Sequence, residues 1–197
     1  MIHIDTCHPL EKMKAWIESE KAMGSDNPNR VVLATSSQDI PRSRIVAIRE
    51  ITGEGIVFFT QRETRKARDL SINPRVSMTL WLAQQQRQVV LEGYVKALTD
   101  EENLFYWRTI PREQQLRFTA YAPISSHAIP SPTTLSEKYR DLKSAFENRD
   151  IPMSDHYCGF HAIAISMCFY TLGSEEFSEV LHFEYCHGKW KQQLLSP

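Results

Sequence analysis

The spacing of its strand-like runs restricts this chain more than any other feature. Residues 31–35, 44–50 and 56–60 are rich in β-branched and aromatic side chains. Turn-forming residues part them: Ser36-Ser37-Gln38-Asp39 after the first run and Thr52-Gly53-Glu54-Gly55 after the second. Such gaps are too short for the crossover that parallel neighbours require, so the runs must fold back as antiparallel hairpins. Residues 75–82, 86–98, 160–170, 180–185 and 190–195 read as further strands, the 160–170 run alternating loosely and the last two forming a closing hairpin. Helical periodicity fills the intervals. Over residues 9–23 Leu10, Met13 and Ile17 form a stripe extended by the stem of Lys21, and Gly24 supplies the stop. A helix over 64–72 is closed by Asn73-Pro74, one over 100–108 is capped by Thr99 or Asp100, and another covers 112–118. Residues 125–134, rich in Ser, Thr and Pro, read as an ordered loop. Over 135–147 Leu135, Tyr139, Leu142 and Phe146 share a helix face. The sum is an α+β, barrel-like domain of about six to eight antiparallel strands. With 197 residues, of which 42% are hydrophobic, residues 1–197 fit one domain with an N-terminal helical segment, 1–24.

A formal net charge of −1 gives no global field for nucleic acid, so any anion site must be a local cluster. No apolar run approaches the ~20 residues of a membrane span. Charges throughout residues 1–24 exclude the apolar centre of a signal peptide, and a cytoplasmic protein is expected. Cys7, Cys158, Cys168 and Cys186 are scattered with no Cys-x-x-Cys pair, which argues against a disulfide framework or a zinc knuckle. Cys7-His8 and Cys186-His187 lack the second ligand pair at motif spacing, so no metal is expected.

The chemistry concentrates in Phe58-Phe59-Thr60-Gln61-Arg62-Glu63-Thr64-Arg65-Lys66-Ala67-Arg68, where a strand gives way to a helix. A helix N-terminus carries partial positive charge, so Arg62, Arg65, Lys66 and Arg68 crowd where cations are unfavourable. An anion among them removes that cost, and free N–H groups with the Thr60 and Thr64 hydroxyls complete a phosphate cradle. The plainer reading is a solvated basic helix whose charge Glu63 and Asp69 soften. On the strand before it, Arg44, Val46 and Ile48 share one face and Ile45, Ala47 and Arg49 the other, placing Arg44 either at a strand end reaching water or against an anion. In QQQRQVVLEG, residues 84–93, the Gln88 carboxamide offers donor and acceptor together, as a flavin edge requires, though glutamines are also ordinary on exposed strands. Trp16, Trp81, Trp107 and Trp190 read as packing residues.

These features occur in the order and context of the pyridoxamine 5'-phosphate oxidase family. VVLATSSQDIPRSRIVAIRE, GIVFFTQRETRKARDLSINPRVSMTLWL, RQVVLEGYV and SSHAIPS resemble its segments, over about residues 27–169. The resemblance implies an antiparallel split β-barrel with flanking helices, a homodimer, and FMN at the dimer interface. It implies that Arg44 contacts the FMN phosphate and that the backbone of Ile45, Val46, Ala47 and Ile48 lines the flavin. Arg49 stands where the family's usual lysine approaches flavin and substrate. Phe59 matches a tyrosine, Thr60 a hydroxyl near the phosphate, and Arg65 with Lys66 the pair that grips it. Gln88 matches the glutamine on the flavin edge. Ser126 matches a serine of the loop over the FMN, Ser125 replaces a glutamine beside it, and Tyr170 stands where tryptophan is common.

The substrate half departs from that pattern. Tyr106 matches a tyrosine that holds the substrate phosphate, but the expected arginine is Ile110 and the expected serine is Gln114, with Arg108 and Arg112 as candidate substitutes. Residues 171–197 diverge: where the family has Arg-Leu-His-Asp-Arg, this chain has EEFSEVLH, in which Glu176 and Glu179 disfavour an anion and His182 has no certain counterpart. The leading reading is oxidation of pyridoxamine or pyridoxine 5'-phosphate to pyridoxal 5'-phosphate, with hydride passing from C4' to FMN N5 and O₂ as acceptor. A second is FMN-dependent oxidation of another ring, as in phenazine biosynthesis, whose oxidases the Ile-x-Glu end of IVAIRE resembles. A non-catalytic flavin- or haem-binding split barrel and a purely structural protein are the readings outside enzymology.

Overall fold

The computed structural model describes residues 8–123, 125, 127–173 and 177–197. Strands β1 (Arg30–Ser37) and β2 (Ile40–Ala47) form a hairpin in full register from Arg30 opposite Ala47 to Ser37 opposite Ile40. Gln38 and Asp39 turn it with φ of 52° and 60°, the left-handed geometry of a two-residue hairpin loop. This turn starts β2 four residues before the expected strand. Its outer edge is free, which is where Pro41 is tolerated.

The expected run 44–50 divides. Past Ala47 the Ile48 amide donates to the Asn29 carbonyl at 2.9 Å and the Arg49 amide to the Val57 carbonyl at 2.8 Å. Then β3 (Glu50–Ile51) pairs with β4 (Gly55–Gln61). Helix α2 (Arg65–Ile72) crosses to the hairpin of β5 (Arg75–Leu82) and β6 (Arg87–Ala97). A helical insert follows: α3 (Asp100–Thr109), α4 (Arg112–Tyr121) and α5 (Thr133–Ala145). The long β7 (Tyr157–Thr171) returns to the sheet, and β8 (Glu179–Cys186) and β9 (Lys189–Leu195) extend it. The order is β2-β1-β5-β6-β7-β4-β3, with β8 and β9 branching from β7, and the Arg49–Val57 bond, two residues past β2, extends the β3–β4 pairing toward the end of β2. The architecture is the expected α+β antiparallel split barrel with flanking helices.

Residues facing one another in an antiparallel ladder share a face. Arg44 is opposite Leu33, Leu33 opposite Met78 and Met78 opposite Leu91, and the three apolar members are at most 1% exposed. That series marks the inward face. The loose alternation of β7 has a cause: a bulge opposite Glu92/Gly93 leaves Ile165 unpaired, so buried positions switch from Ala162 and Ala164 to Met167 and Phe169. Gly93 is obligatory there, since a Cβ would stand 1.8 Å from the Ile163 carbonyl oxygen.

Helix α1 (Pro9–Ala22) buries Leu10, Met13 and Ile17 as expected, but continues the stripe with Glu20 rather than Lys21. The Glu20 carboxylate accepts from the Gln84 and Gln85 amides at 2.9 and 3.2 Å, clamping the β5–β6 turn. A second apolar cluster of Trp107, Leu116, Ile151 and Tyr157 seats the helical insert. Thr99 is the α3 cap, in a reciprocal capping box with Glu102. Asn103, fully buried, accepts from the Gly159 amide at 2.8 Å and donates to the Leu98 carbonyl at 3.2 Å, fixing α3 on β7. Asn103→Ala strands both backbone groups and is expected to lower unfolding free energy by about 1–3 kcal/mol in urea titration; an unchanged midpoint would show that α3 is held by packing alone.

Candidate cofactor and substrate site

Arg44 points inward from β2 at the end of the barrel that α2 covers. Its guanidinium donates to Thr35 Oγ1 at 2.7 Å and meets Asp69 Oδ2 at 3.5 Å. Asp69, 5% exposed on α2, also accepts from Thr35 Oγ1 at 3.0 Å and pairs with Arg42 at 3.4 Å. Lys66, on the first turn of α2, donates to Thr60 Oγ1 at 3.0 Å, and that hydroxyl lies 3.2 Å from Thr64 Oγ1. Burial, and then the charge of Arg44, hold the Lys66 ammonium below the usual lysine range. Arg42 and Arg44 thus share one carboxylate, and Lys66 adds a third cation close enough for the charge of Arg44 to act on it. Among the described residues no side chain caps α2: Thr64 Oγ1 donates instead to the Gln61 carbonyl at 2.8 Å. Excess positive charge, two hydroxyls and an uncapped helix N-terminus fit a phosphate monoester.

Not every expected cation joins. Arg62 donates to the Asp155 carbonyl at 2.9 Å and to Asp100 at 3.0 Å, on the far side of the α2 entry. Arg65 and Arg68 are exposed, Arg65 one residue from Lys66 at the mouth of the cluster.

Next to the cradle, a cavity of about 540 Å³ gathers the expected Ala47, Ile48, Arg49, Phe59 and Gln114. Arg49 NH2 donates to Thr109 Oγ1 at 2.8 Å, tying the end of β2 to α3. Phe59 stacks on Tyr157 at 4.8 Å and packs against Tyr106 at 5.1 Å. The Tyr106 hydroxyl donates to Glu50 Oε2 at 2.6 Å; burial first, and then this bond, push the phenol up to about 12.

The expected substitutes, Arg108 and Arg112, instead line a different cavity of about 580 Å³, where Arg112 donates to the carbonyls of Arg149 and Phe146. The α4 arginine on the first cavity is Arg117, three residues beyond Gln114 and hence on its helix face. That spacing was the available signal for it. Arg30 and Tyr157 also line the cavity and carried no signal. The Tyr157 hydroxyl is buried without a hydrogen-bond partner among the described residues.

Gln88 and Tyr170 lie elsewhere. They face each other across β6 and β7, and Gln88 also faces Trp81, which is 52% exposed instead of packed as expected. Both therefore project from the outward face, which exposes Val32 and Ile45 as well. His182 is on that face, its Nε2 3.0 Å from Ser166 Oγ. Ser125 is half-buried in the turn after α4. Ser126 and Glu176 lie outside the described residues.

The barrel and its helical insert define the class by fold, the split β-barrels. A solved structure of PhzG from Burkholderia lata, in complex with tetrahydrophenazine-1-carboxylic acid, matches with a TM-score of 0.89 at 22% identity, over 98% of this chain and 95% of that one. A pyridoxamine 5'-phosphate oxidase-related, FMN binding protein from Nostoc punctiforme matches with a TM-score of 0.75 at 12% identity, over 95% and 96% of the two chains. The family model described as pyridoxamine 5'-phosphate oxidase matches residues 10–138. A pyridoxine/pyridoxamine 5'-phosphate oxidase from Alteromonas mediterranea is 31% identical over 98% of this chain and 91% of its own length. One from Teredinibacter turnerae is 31% identical over 96% and 90%. This chain belongs to the pyridoxamine 5'-phosphate oxidase family.

Asp69→Ala removes the carboxylate between Arg42 and Arg44. Because both guanidiniums reach water, the loss is expected at about 2–4 kcal/mol, below the roughly 3–5 kcal/mol of a fully buried broken pair. Added inorganic phosphate should raise the Tm of the variant more than that of the parent in thermal melts. Equal shifts would argue against an anion site here.

Proposed function

We propose that the protein is a cytoplasmic, homodimeric FMN-dependent oxidase of a planar ring compound. The observation that carries this reading is the excess of cations at the α2 entry: Arg44 reaches Thr35 from β2, Lys66 reaches Thr60 from α2, and the charge of Arg44 acts on Lys66. In this reading Arg44, Lys66 and Thr60 hold the FMN phosphate, with Arg65, Ser125 and Ser126 closing over it. The backbone of residues 45–48 lines the flavin beside Phe59, and Arg49, Tyr106 and Gln114 face the substrate. Bound FMN would supply hydride acceptance from the ring and reoxidation by O₂; the chain's own part is to align the ring and exclude water.

Gln88 and Tyr170 reach a flavin held at the cradle only if a second copy presents its outward face. The exposed apolar strip of Ile45, Val32 and Trp81 beside them supports that pairing.

Two substrate readings divide the family activity. The named relatives support a phosphorylated B6 vitamer. The site supports a ring without that phosphate better, because Ile110 replaces the expected arginine and Arg112 is engaged with Arg149 and Phe146.

Anaerobic mixing of the FMN-loaded protein with candidate rings should bleach the flavin absorption band; no bleaching with any candidate would favour a non-catalytic binder. Lys66→Ala is expected to weaken FMN binding about 10–100-fold by fluorescence titration, since a charge-assisted bond is lost. Adding Arg65→Ala should release the flavin with an unchanged circular dichroism spectrum, whereas full retention would defeat the cradle. The pH dependence follows in sign. Charged Lys66 favours the anion, so affinity is complete below the ammonium's depressed pKa and falls as pH rises through it, at lower pH than the 10.5 of an ordinary lysine.

A further inference from the structure

Tyr106 and Glu50 form a contact that the proposed chemistry does not require. A phenol has one proton to donate, and Tyr106 donates it to a carboxylate at 2.6 Å. Glu50 opens β3, directly after Arg49, yet Arg49 is turned to Thr109 Oγ1 and its carbonyl, at 2.8 and 3.3 Å. Among the described residues no ion pair neutralises Glu50. At the Tyr106 edge, joined to the cavity through Phe59, the Glu50 and Glu102 carboxylates outweigh the one nearby cation, Arg49, while Arg30 and Arg117 line the cavity itself. A phosphate approaching Tyr106 finds its donor taken and a carboxylate beside it. A neutral group there meets neither obstacle.

We propose that Glu50 is a specificity-determining residue: by holding the Tyr106 hydroxyl and placing a carboxylate beside it, Glu50 excludes phosphate monoesters and selects an unphosphorylated ring substrate. This rests on the reading of the neighbouring cavity as the substrate site. The carboxylate acts through charge and through occupation of a donor, not through shape, so an isosteric neutral replacement should release the selection. Glu50→Gln removes the charge and offers an amide N–H to the phenol oxygen, which frees the phenol proton to turn to a phosphate.

The test uses FMN-loaded protein and two unreactive probes, 4-deoxypyridoxine and its 5'-phosphate, with affinities read by isothermal titration calorimetry. The parent should bind the phosphate form no better than the parent ring. Glu50→Gln should improve the phosphate form about 10-fold or more and leave the other within about 2-fold. In Tyr106→Phe the same Glu50→Gln change should gain less, because the released hydroxyl is absent. A parent that prefers the phosphate form 10-fold, an unchanged ratio in Glu50→Gln, or no binding of either probe to any variant would each overturn the proposal. FMN affinity measured on the same proteins separates the two failures: normal FMN binding with any of these results leaves the flavoprotein reading standing and removes only the role of Glu50.

Discussion

The buried carboxylate of Asp69 is the interaction on which the rest of the site depends. It joins α2 to β1 through Thr35 and to β2 through Arg42 and Arg44, at distances of 3.0 to 3.5 Å. Without that anchor two guanidiniums at the barrel end would repel each other and turn to water. With it they are fixed before any ligand arrives, and the ordering that binding would otherwise require is already met in folding. Asp69 balances one of the two charges it gathers, and Lys66 adds a third nearby, so the cluster is at once stable and still attractive to an anion.

The same chain segment distributes charge along the site. From Arg44 through Arg49 to Glu50, seven residues pass from the cation cluster, along the backbone edge of the cavity, to a carboxylate. The hairpin register sets this polarity, since it turns Arg44 inward, and the bond from the Arg49 amide to Val57 sends the chain toward α3. In the proposed reading the end that faces α2 attracts anions and the end that faces Tyr106 repels them. Loss of the arginine at Ile110 and presence of Glu50 act in the same direction.

Much of this was legible in the sequence where local chemistry decides. Short gaps gave hairpins, and a basic helix entry marked Lys66. What was not legible depended on partners distant in sequence. Arg62 looked like its neighbours until Asp100 and the Asp155 carbonyl, 38 and 93 residues away, drew it off. β2 was expected to begin at residue 44 because Pro41, Arg42 and Ser43 have little strand preference, yet pairing with Ser36, Thr35 and Ala34 overrides that. Glu50 was noticed only as part of a motif ending. Its role becomes visible once the insert brings Tyr106 across 56 positions of sequence to meet it.

Gln88 shows how completely side-chain direction can decide a role that residue type leaves open. Ladder parity is strict: Leu91 faces inward opposite Met78, so Gln88, an odd number of positions away, faces outward opposite Trp81 and Tyr170. The bulge at Ile165 absorbs one residue in β7 and leaves β6 undisturbed, so Tyr170 emerges on the face of Gln88 while Ala162 still lines the core. A carboxamide and a phenol placed outward on an apolar strip gain nothing from their own barrel. Their environment becomes chemically coherent in the homodimer proposed above, where another copy covers the strip. Thus strand parity sends Gln88 outward, and the one extra residue in β7 brings Tyr170 to the same face.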